Sequence, residues 1–417
     1  MIDSYSVKNF KIHQDGIDIE FPGVTILTGT NNSGKTSLIQ SIRTLAAVEN
    51  TSEGIPFLPF QKIEGLGELR DVLNKNVSRS ESIQYSLHFR DMTLQLNVHF
   101  VLSFNSNLDG LLTVAADTVD MAVLDRIRMV IVEDESECVS YEFIRKDTQY
   151  CYEYDETDNK KNQGYVKFSR LMPQTYFMEI PSQHQRECLM NCFRMLNNLT
   201  NLSVKYLGPY RQVSSAMRET GNSLLDMYGS NVSEVIDRWK DRTVFDGLNF
   251  AEAFAKWTGE LLHTKFVVRV ENGQYRLLAV ENEIEFGLGQ IGFGNTQILP
   301  IIVQILTAQP GDLVIIENPE VHLHPRWKAD LMKLFFHAAA YGVKVIIETQ
   351  SMEMINRTRL MVKCQEELRN KIALYFFEKR EFACEINKID IKETGELDIW
   401  PDDFLDRVTI DDSFGLL

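Results

Sequence analysis

A short apolar strand, VTILT at residues 24–28, runs directly into the loop GTNNSGKTS at 29–37, and that loop runs into SLIQSIRTLAAV. In the last stretch Leu38, Ile39, Ile42, Leu45 and Ala46 share one helical face. Strand, loop and helix in this order leave few folds open, because the loop fits G-x-x-x-x-G-K-[ST] with Gly29, Gly34, Lys35 and Thr36. Two glycines let the main chain wrap a phosphate, so that consecutive N–H groups and the helix start point at its oxygens. Lys35 adds a point charge for the β and γ phosphates, and Thr36 is placed to put its hydroxyl on Mg²⁺. The expected nucleotide-binding set is Gly29, Asn31, Asn32, Ser33, Gly34, Lys35, Thr36 and Ser37.

The matching half of such a site lies far along the chain. LVIIENPEVHLHP at 313–325 reads as a buried strand ending in Glu317 and Glu320, and an acid delivered beside a phosphate loop holds Mg²⁺ directly or through water. Upstream, Gly287, Gly289, Gly292 and Gly294 precede the apolar helix TQILPIIVQIL and offer a second anion-binding helix start. Downstream, VKVIIETQS at 343–351 is another buried strand, closing on Thr349, Gln350 and Ser351. The three strand ends are expected to converge.

Between these halves the pattern changes. Near the N-terminus Ile17, Ile19 and Phe21 alternate with acids, as a strand requires. Ile83, Tyr85, Leu87 and Phe89 alternate, Arg90 and Asp91 read as a turn, and Met92, Leu94, Leu96, Val98 and Phe100 alternate again, which predicts an antiparallel hairpin. Strand-like stretches continue to about residue 170, interrupted by EDESE (133–137) and EYDETD (153–158), read as solvated loops. From about 176 to 263, CLMNCFRMLNNL, NSLLDMYGSNVSEVIDRWK and FAEAFAKWTGELL have helical spacing. VKYLGPYRQVSS reads as a turn, with Tyr206, Tyr210 and Arg211 facing a ligand or a subunit as the alternative. The division expected is an N-terminal ATPase lobe with an antiparallel β subdomain (1–175), a helical insertion (176–265) and a C-terminal lobe (266–417).

Composition excludes several classes. No apolar run approaches the ~18 residues of a membrane span, and MIDSYSVKNFKIHQDG lacks the parts of a secretory signal, so a cytoplasmic protein without membrane contact is expected. A net charge of −16 argues against passive coating of DNA and leaves only local basic runs for such contact. Two are present, Arg238, Lys240 and Arg242, and Arg357, Arg359 and Lys363; solvated helix faces are the simpler reading. The six scattered cysteines are expected to be reduced. Cys188 and Cys192, with His184 one turn earlier, are assigned to helix packing rather than to a metal, and His322 and His324 to packing and polar contacts.

The order of these elements resembles the ABC-type ATPases of the SMC, RecF and overcoming-lysogenization-defect group. The likeness is to stand-alone bacterial members sharing GxNxSGKTSLIQS, YLGPxR, GFGxxQxLP and ENPExHLHP, and ETGELDIWPDDFLD at 393–406 resembles their terminal segment. The resemblance covers about 1–50 and 285–406. It implies an α/β P-loop NTPase fold of ABC type, with a mixed sheet, an antiparallel β subdomain and a helical insertion. It implies an ATP-driven dimer in which nucleotide on one subunit's loop is closed by the partner's glycine-rich signature, carried here by Gly292, Gly294 and Asn295. By the same match Thr36 and Glu317 hold Mg²⁺, and Gln350 occupies a γ-phosphate switch position usually filled by histidine. Asn318 stands where relatives often keep the glutamate that orients the attacking water, and an amide cannot accept its proton. Glu320 is the expected substitute, and slow hydrolysis is the expected consequence.

Two functions follow. One is a nucleotide-switched sensor or scaffold in anti-phage defence; relatives often carry a fused toprim nuclease, but no Asp-x-Asp follows Glu320, so a nuclease or toxin effector is expected as a separate protein. The other is an SMC- or RecF-like ATPase acting directly on DNA, without long coiled-coil arms because Lys35 and Glu317 are too close in sequence. A transporter subunit is disfavoured by the long insert and the missing serine in the signature.

Overall fold

The computed structural model describes residues 1–401 apart from 17, 79, 92–95, 107–120, 134–136, 156–161, 175–182, 201–203, 291 and 381–382. The chain forms two compact units, one of residues 1–21, 31–204 and 377–386, the other of 22–30, 205–376 and 387–417.

The first unit is built on a ten-stranded sheet in which every recorded pairing is antiparallel. The expected hairpin is present: Ile83–Asp91 pairs with Leu96–Asn105, from Ile83↔Phe104 to Asp91↔Leu96. Arg90 and Asp91 are therefore strand residues rather than the turn. Arg90 can stay in the strand because its Nε reaches Asp3 (3.1 Å) and Asn97 (3.2 Å) along the solvent face. The connection falls on 92–95, so Met92 and Leu94 lie outside the described residues, as does Ile17. Of the two acidic segments, Glu133 and Glu137 face each other as the last and first residues of neighbouring strands, and Glu153 to Asp155 are strand residues. Their remaining parts, 134–136 and 156–158, are outside the described residues. Helix Gln183–Thr200 covers the buried sheet face, setting Phe193 5.7 Å from Phe100 and 5.5 Å from Phe143, ring to ring. Cys188 and Cys192 are buried on this helix and His184 is exposed.

The second unit is built on the strands Leu313–Glu317, Lys344–Glu348 and Val24–Gly29, which belong to a six-stranded sheet in the order Val204–Leu207, Leu313–Glu317, Lys344–Glu348, Val24–Gly29, Ile372–Arg380, Ala383–Ile389. The strand Val24–Gly29 (the loop strand), Lys344–Glu348 (the central strand) and Leu313–Glu317 (the acid strand) are parallel, with Glu317 opposite Glu348 and Glu348 opposite Leu27. Near-continuous apolar runs suit this role, since a parallel sheet is covered on both faces; Val24, Ile26, Val314, Ile316, Val345 and Ile347 are all fully buried. The in-register parallel pairing brings the C-terminal ends of the three strands to one edge, where α/β sheets bind ligands. An antiparallel sheet of Ala216–Arg218, Gln274–Glu281, Lys265–Glu271 and Ile284–Gly287 completes the unit. The α/β P-loop architecture with parallel core and antiparallel β subdomain is thus the fold class read from the sequence.

The region read as helical at 176–263 is divided: Gln183–Thr200 belongs to the first unit, Val232–Trp239 and Phe250–Leu262 to the second. NSLLDMYGS at 222–230 is not helical. Asp226 accepts hydrogen bonds from the Tyr228 and Ser230 amides, and Asn231 from that of Asp226, so short polar side chains capture the backbone bonds a helix needs. Among the described residues, no helix is long and apolar enough to cross a membrane.

Candidate active site

The loop strand ends at Gly29 with φ 133°, Asn32 follows at 59° and Gly34 at 108°. Gly34 is the N-cap of helix Lys35–Ala46, whose first bond runs from the Leu38 amide to the Gly34 carbonyl at 2.9 Å. A Cβ on Gly34 would lie 2.8 Å from Ile12 and 3.0 Å from the His13 ring, so glycine is required twice over, by conformation and by space. No side chain caps this helix and no acid stands in its first turn, which presents the amides and the positive end of the dipole to an anion. Lys35 is 4% exposed with Nζ 3.4 Å from Ser33 Oγ; Ser33 is buried, Asn31, Asn32 and Thr36 are exposed, and Ser37 is intermediate.

The loop has a support that the motif does not reveal. His13 Nε2 donates to the Gly34 carbonyl at 3.0 Å, and burial pushes the imidazole down to about 4. The ring is therefore neutral at pH 7.

In the second unit the acid strand ends at buried Glu317, whose Oε1 accepts a 3.0 Å hydrogen bond from the Tyr206 phenol. Arg211, 3% exposed, donates from Nη1 to the Glu317 carbonyl (3.0 Å) and from Nη2 to that of Asn318 (2.7 Å). Burial lowers this guanidinium to about 10, partly offset by the negative charge of Glu320, so it stays protonated. The YLGPYR segment is therefore more than a turn: it braces the acid. Tyr210 within it is 77% exposed. Asn318 occupies the left-handed region (φ 44°) with its amide bonded to the Glu348 carbonyl at 2.8 Å, a conformation asparagine tolerates. Glu320 Oε1 accepts from the Gln350 amide at 3.0 Å, while its Oε2 is buried without a hydrogen-bond partner among the described residues. Glu317, Asn318, Glu320 and Gln350 thus lie together at the ends of the acid and central strands.

The glycine-rich helix Phe293–Leu306 starts at Gly292, again without a side-chain cap and without an acid in its first turn. The glycines divide the work. A Cβ on Gly292 would meet nothing within 4 Å, whereas one on Gly294 would strike the His322 carbonyl at 2.8 Å. The side chain of Asn295 lies outside the described residues. His324 Nδ1 accepts from the Arg326 amide at 3.3 Å as N-cap of helix Pro325–Ala340, and His322 turns the chain at φ 62°.

The basic runs are largely engaged. Arg238 is bonded to Glu234 (2.9 Å) and Glu219 (2.7 Å), Lys240 to Asp237, and Arg242 lies 4.6 Å over the Trp239 ring. Arg359 donates to the Gly395 carbonyl and stacks on Trp400, and Arg357 faces Asp330, while Lys363 is exposed.

Each unit offers its own donors. In the first, an uncapped helix start, a buried lysine and the hydroxyl of Thr36 suit the phosphates of a nucleotide. In the second, the carboxylate of Glu317 and an orphaned carboxylate oxygen on Glu320 suit a hard cation, and the uncapped glycine-led start of helix Phe293–Leu306 suits an anion.

A family described as the AAA ATPase domain matches residues 1–355, and one described as a protein of unknown function (DUF3696) matches 369–411. No curated protein matches the chain. Among solved structures it is similar to the SMC head domain from Thermotoga maritima (10% identity over 94% of this chain and 99% of that one, TM-score 0.43). It is also similar to an SmcHead bound to the C-winged helix domain of ScpA (10% identity, 94% and 98% covered, TM-score 0.47). A third is the Smc head domain with an extended coiled coil bound to the C-terminal domain of ScpA derived from Pyrococcus furiosus (11% identity, 93% and 96% covered, TM-score 0.45).

Proposed function

Because the chain belongs to the AAA ATPase domain family, we propose that it binds and hydrolyses ATP as a nucleotide-switched sensor or scaffold for a separate effector in bacterial anti-phage defence. The observation that carries the nucleotide part is the helix start at Gly34, uncapped, free of acids and backed by buried Lys35. In this reading the amides from Asn31 to Ser37 and the charge of Lys35 bind the phosphates, and Thr36 with Glu317 holds Mg²⁺. Mg²⁺, when bound, neutralises charge on the β and γ phosphate oxygens. Glu320 takes the attacking water's proton, because the Asn318 amide cannot, and its attachment to the Gln350 amide keeps it oriented. Gln350 hydrogen-bonds the γ-phosphate without a charge, which makes turnover slow.

Self-association completes the site: Gly292, Gly294 and Asn295 of one subunit meet the nucleotide of the other, and the open space around Gly292 supports a close approach there. The defence role and the separate nuclease or toxin rest on the likeness in sequence to stand-alone members of the overcoming-lysogenization-defect group. A repair-type ATPase acting on DNA is the second reading, and the pairing of Arg238, Lys240 and Arg357 with acids weakens it.

The deciding experiment is a pull-down of tagged Glu320→Gln protein, expressed with its native genomic neighbours and purified in ATP. A stoichiometric nuclease or toxin supports the scaffold reading. Recovery of DNA without a protein partner overturns it in favour of the repair reading.

A further inference from the structure

One buried guanidinium in the second unit joins three elements. Arg211 holds the carbonyls of Glu317 and Asn318 with its two Nη atoms, and its own carbonyl accepts a 3.0 Å hydrogen bond from Gln297 Nε2. Gln297 is 3% exposed and lies in the first turns of the glycine-rich helix. From the same segment Tyr206 reaches the Glu317 carboxylate itself, at 3.0 Å. The helix start also bears on the loop after the acid strand at Gly294, which has no room for a Cβ against the His322 carbonyl. A planar fork suits this work, because it engages two carbonyls in fixed directions, which an ammonium cannot do. Burying it is costly, and its Nε lies buried without a hydrogen-bond partner among the described residues, so the geometry is not explained by satisfying the arginine.

We propose that Tyr206 and Arg211 are positioning residues that aim the Glu317 carboxylate at a divalent cation, and that Gln297 links this aim to the start of the glycine-rich helix. The inference rests on the nucleotide reading above and deepens it. Tyr206 restrains one carboxylate oxygen, Arg211 restrains the two consecutive peptide groups on either side of Asn318, and Gln297 transmits any movement of the helix start to Arg211. A ligand gripping the helix start is thereby felt at the metal-holding carboxylate.

The test uses Mn²⁺ in place of Mg²⁺ with a non-hydrolysable ATP analogue, following the free Mn²⁺ signal by electron paramagnetic resonance on the full chain. Metal-free affinity for the analogue is measured first, and its absence in the wild type would sink the nucleotide reading and not the clamp. Tyr206→Phe removes one O–H and should weaken Mn²⁺ binding about fivefold, with metal-free analogue affinity unchanged. Wild-type Mn²⁺ affinity in Tyr206→Phe would overturn the role of Tyr206. Arg211→Lys keeps the charge but not the fork, and should act in the same direction. Gln297→Met combined with Arg211→Lys should give a non-additive loss of Mn²⁺ affinity, and additive losses would remove the link to the helix.

Discussion

His13 donates from Nε2 to the carbonyl of Gly34 at 3.0 Å, so a buried neutral imidazole holds the residue at which the phosphate loop becomes a helix. Burial lowers this ring to about 4, against ~6.5 in an unfolded chain. Between those values the unfolded state binds more protons, so the ring's contribution to stability is complete above pH ~6.5 and is lost as pH falls toward 4, by up to about 3 kcal/mol. His13→Gln keeps a donor and cannot titrate. Thermal melting of the wild type should fall more steeply than that of His13→Gln between pH 6.5 and 4.5, and parallel slopes would contradict the assignment.

Gly34 and Gly54 both have positive φ, 108° and 85°, but a Cβ at Gly54 meets nothing within 4 Å. Gly54→Ala should cost about 1 kcal/mol from backbone strain alone. Gly34→Ala adds a clash with Ile12 and His13 and should cost about 3 kcal/mol in denaturant titration, with loss of ATP binding. Equal costs would mean that the space around Gly34 relaxes freely.

Lys35→Ala removes the buried positive charge that faces phosphate in the proposed site. A charge-assisted hydrogen bond is worth roughly 1.5–3 kcal/mol, so ATP affinity should drop by at least about tenfold, measured by calorimetry. Unchanged affinity would contradict the loop's assignment.

Glu320→Gln retains an oxygen for the Gln350 amide but cannot take a proton. Steady-state phosphate release should fall by about a hundredfold while ATP remains bound. Wild-type turnover would move the role of base to another residue.

What was legible in the sequence is what depends on neighbours in the chain. The phosphate loop is written in residue types because Gly29 and Gly34 must take positive φ and Lys35 must follow at once. The parallel strands are legible because burial on both faces demands unbroken apolar runs, and the hairpin because one buried face demands alternation. The limit is visible at Arg90 and Asp91, where a charged pair resembles a turn but is held in the strand by Asp3, Asn97 and Leu96. It recurs at 222–230, where apolar spacing suits a helix and the Asp226 side chain takes the backbone bonds instead.

The sequence by itself determined the phosphate loop, the acid strand and the class of fold, because each is a local pattern of conformation and burial. Only the tertiary structure decided what steadies them: His13 on Gly34, 21 residues apart, and Tyr206 and Arg211 on Glu317, 111 and 106 residues apart. The physical reason is that a hydrogen bond between distant residues leaves no periodicity in the chain, and its partners are chosen by the sheet that brings them together.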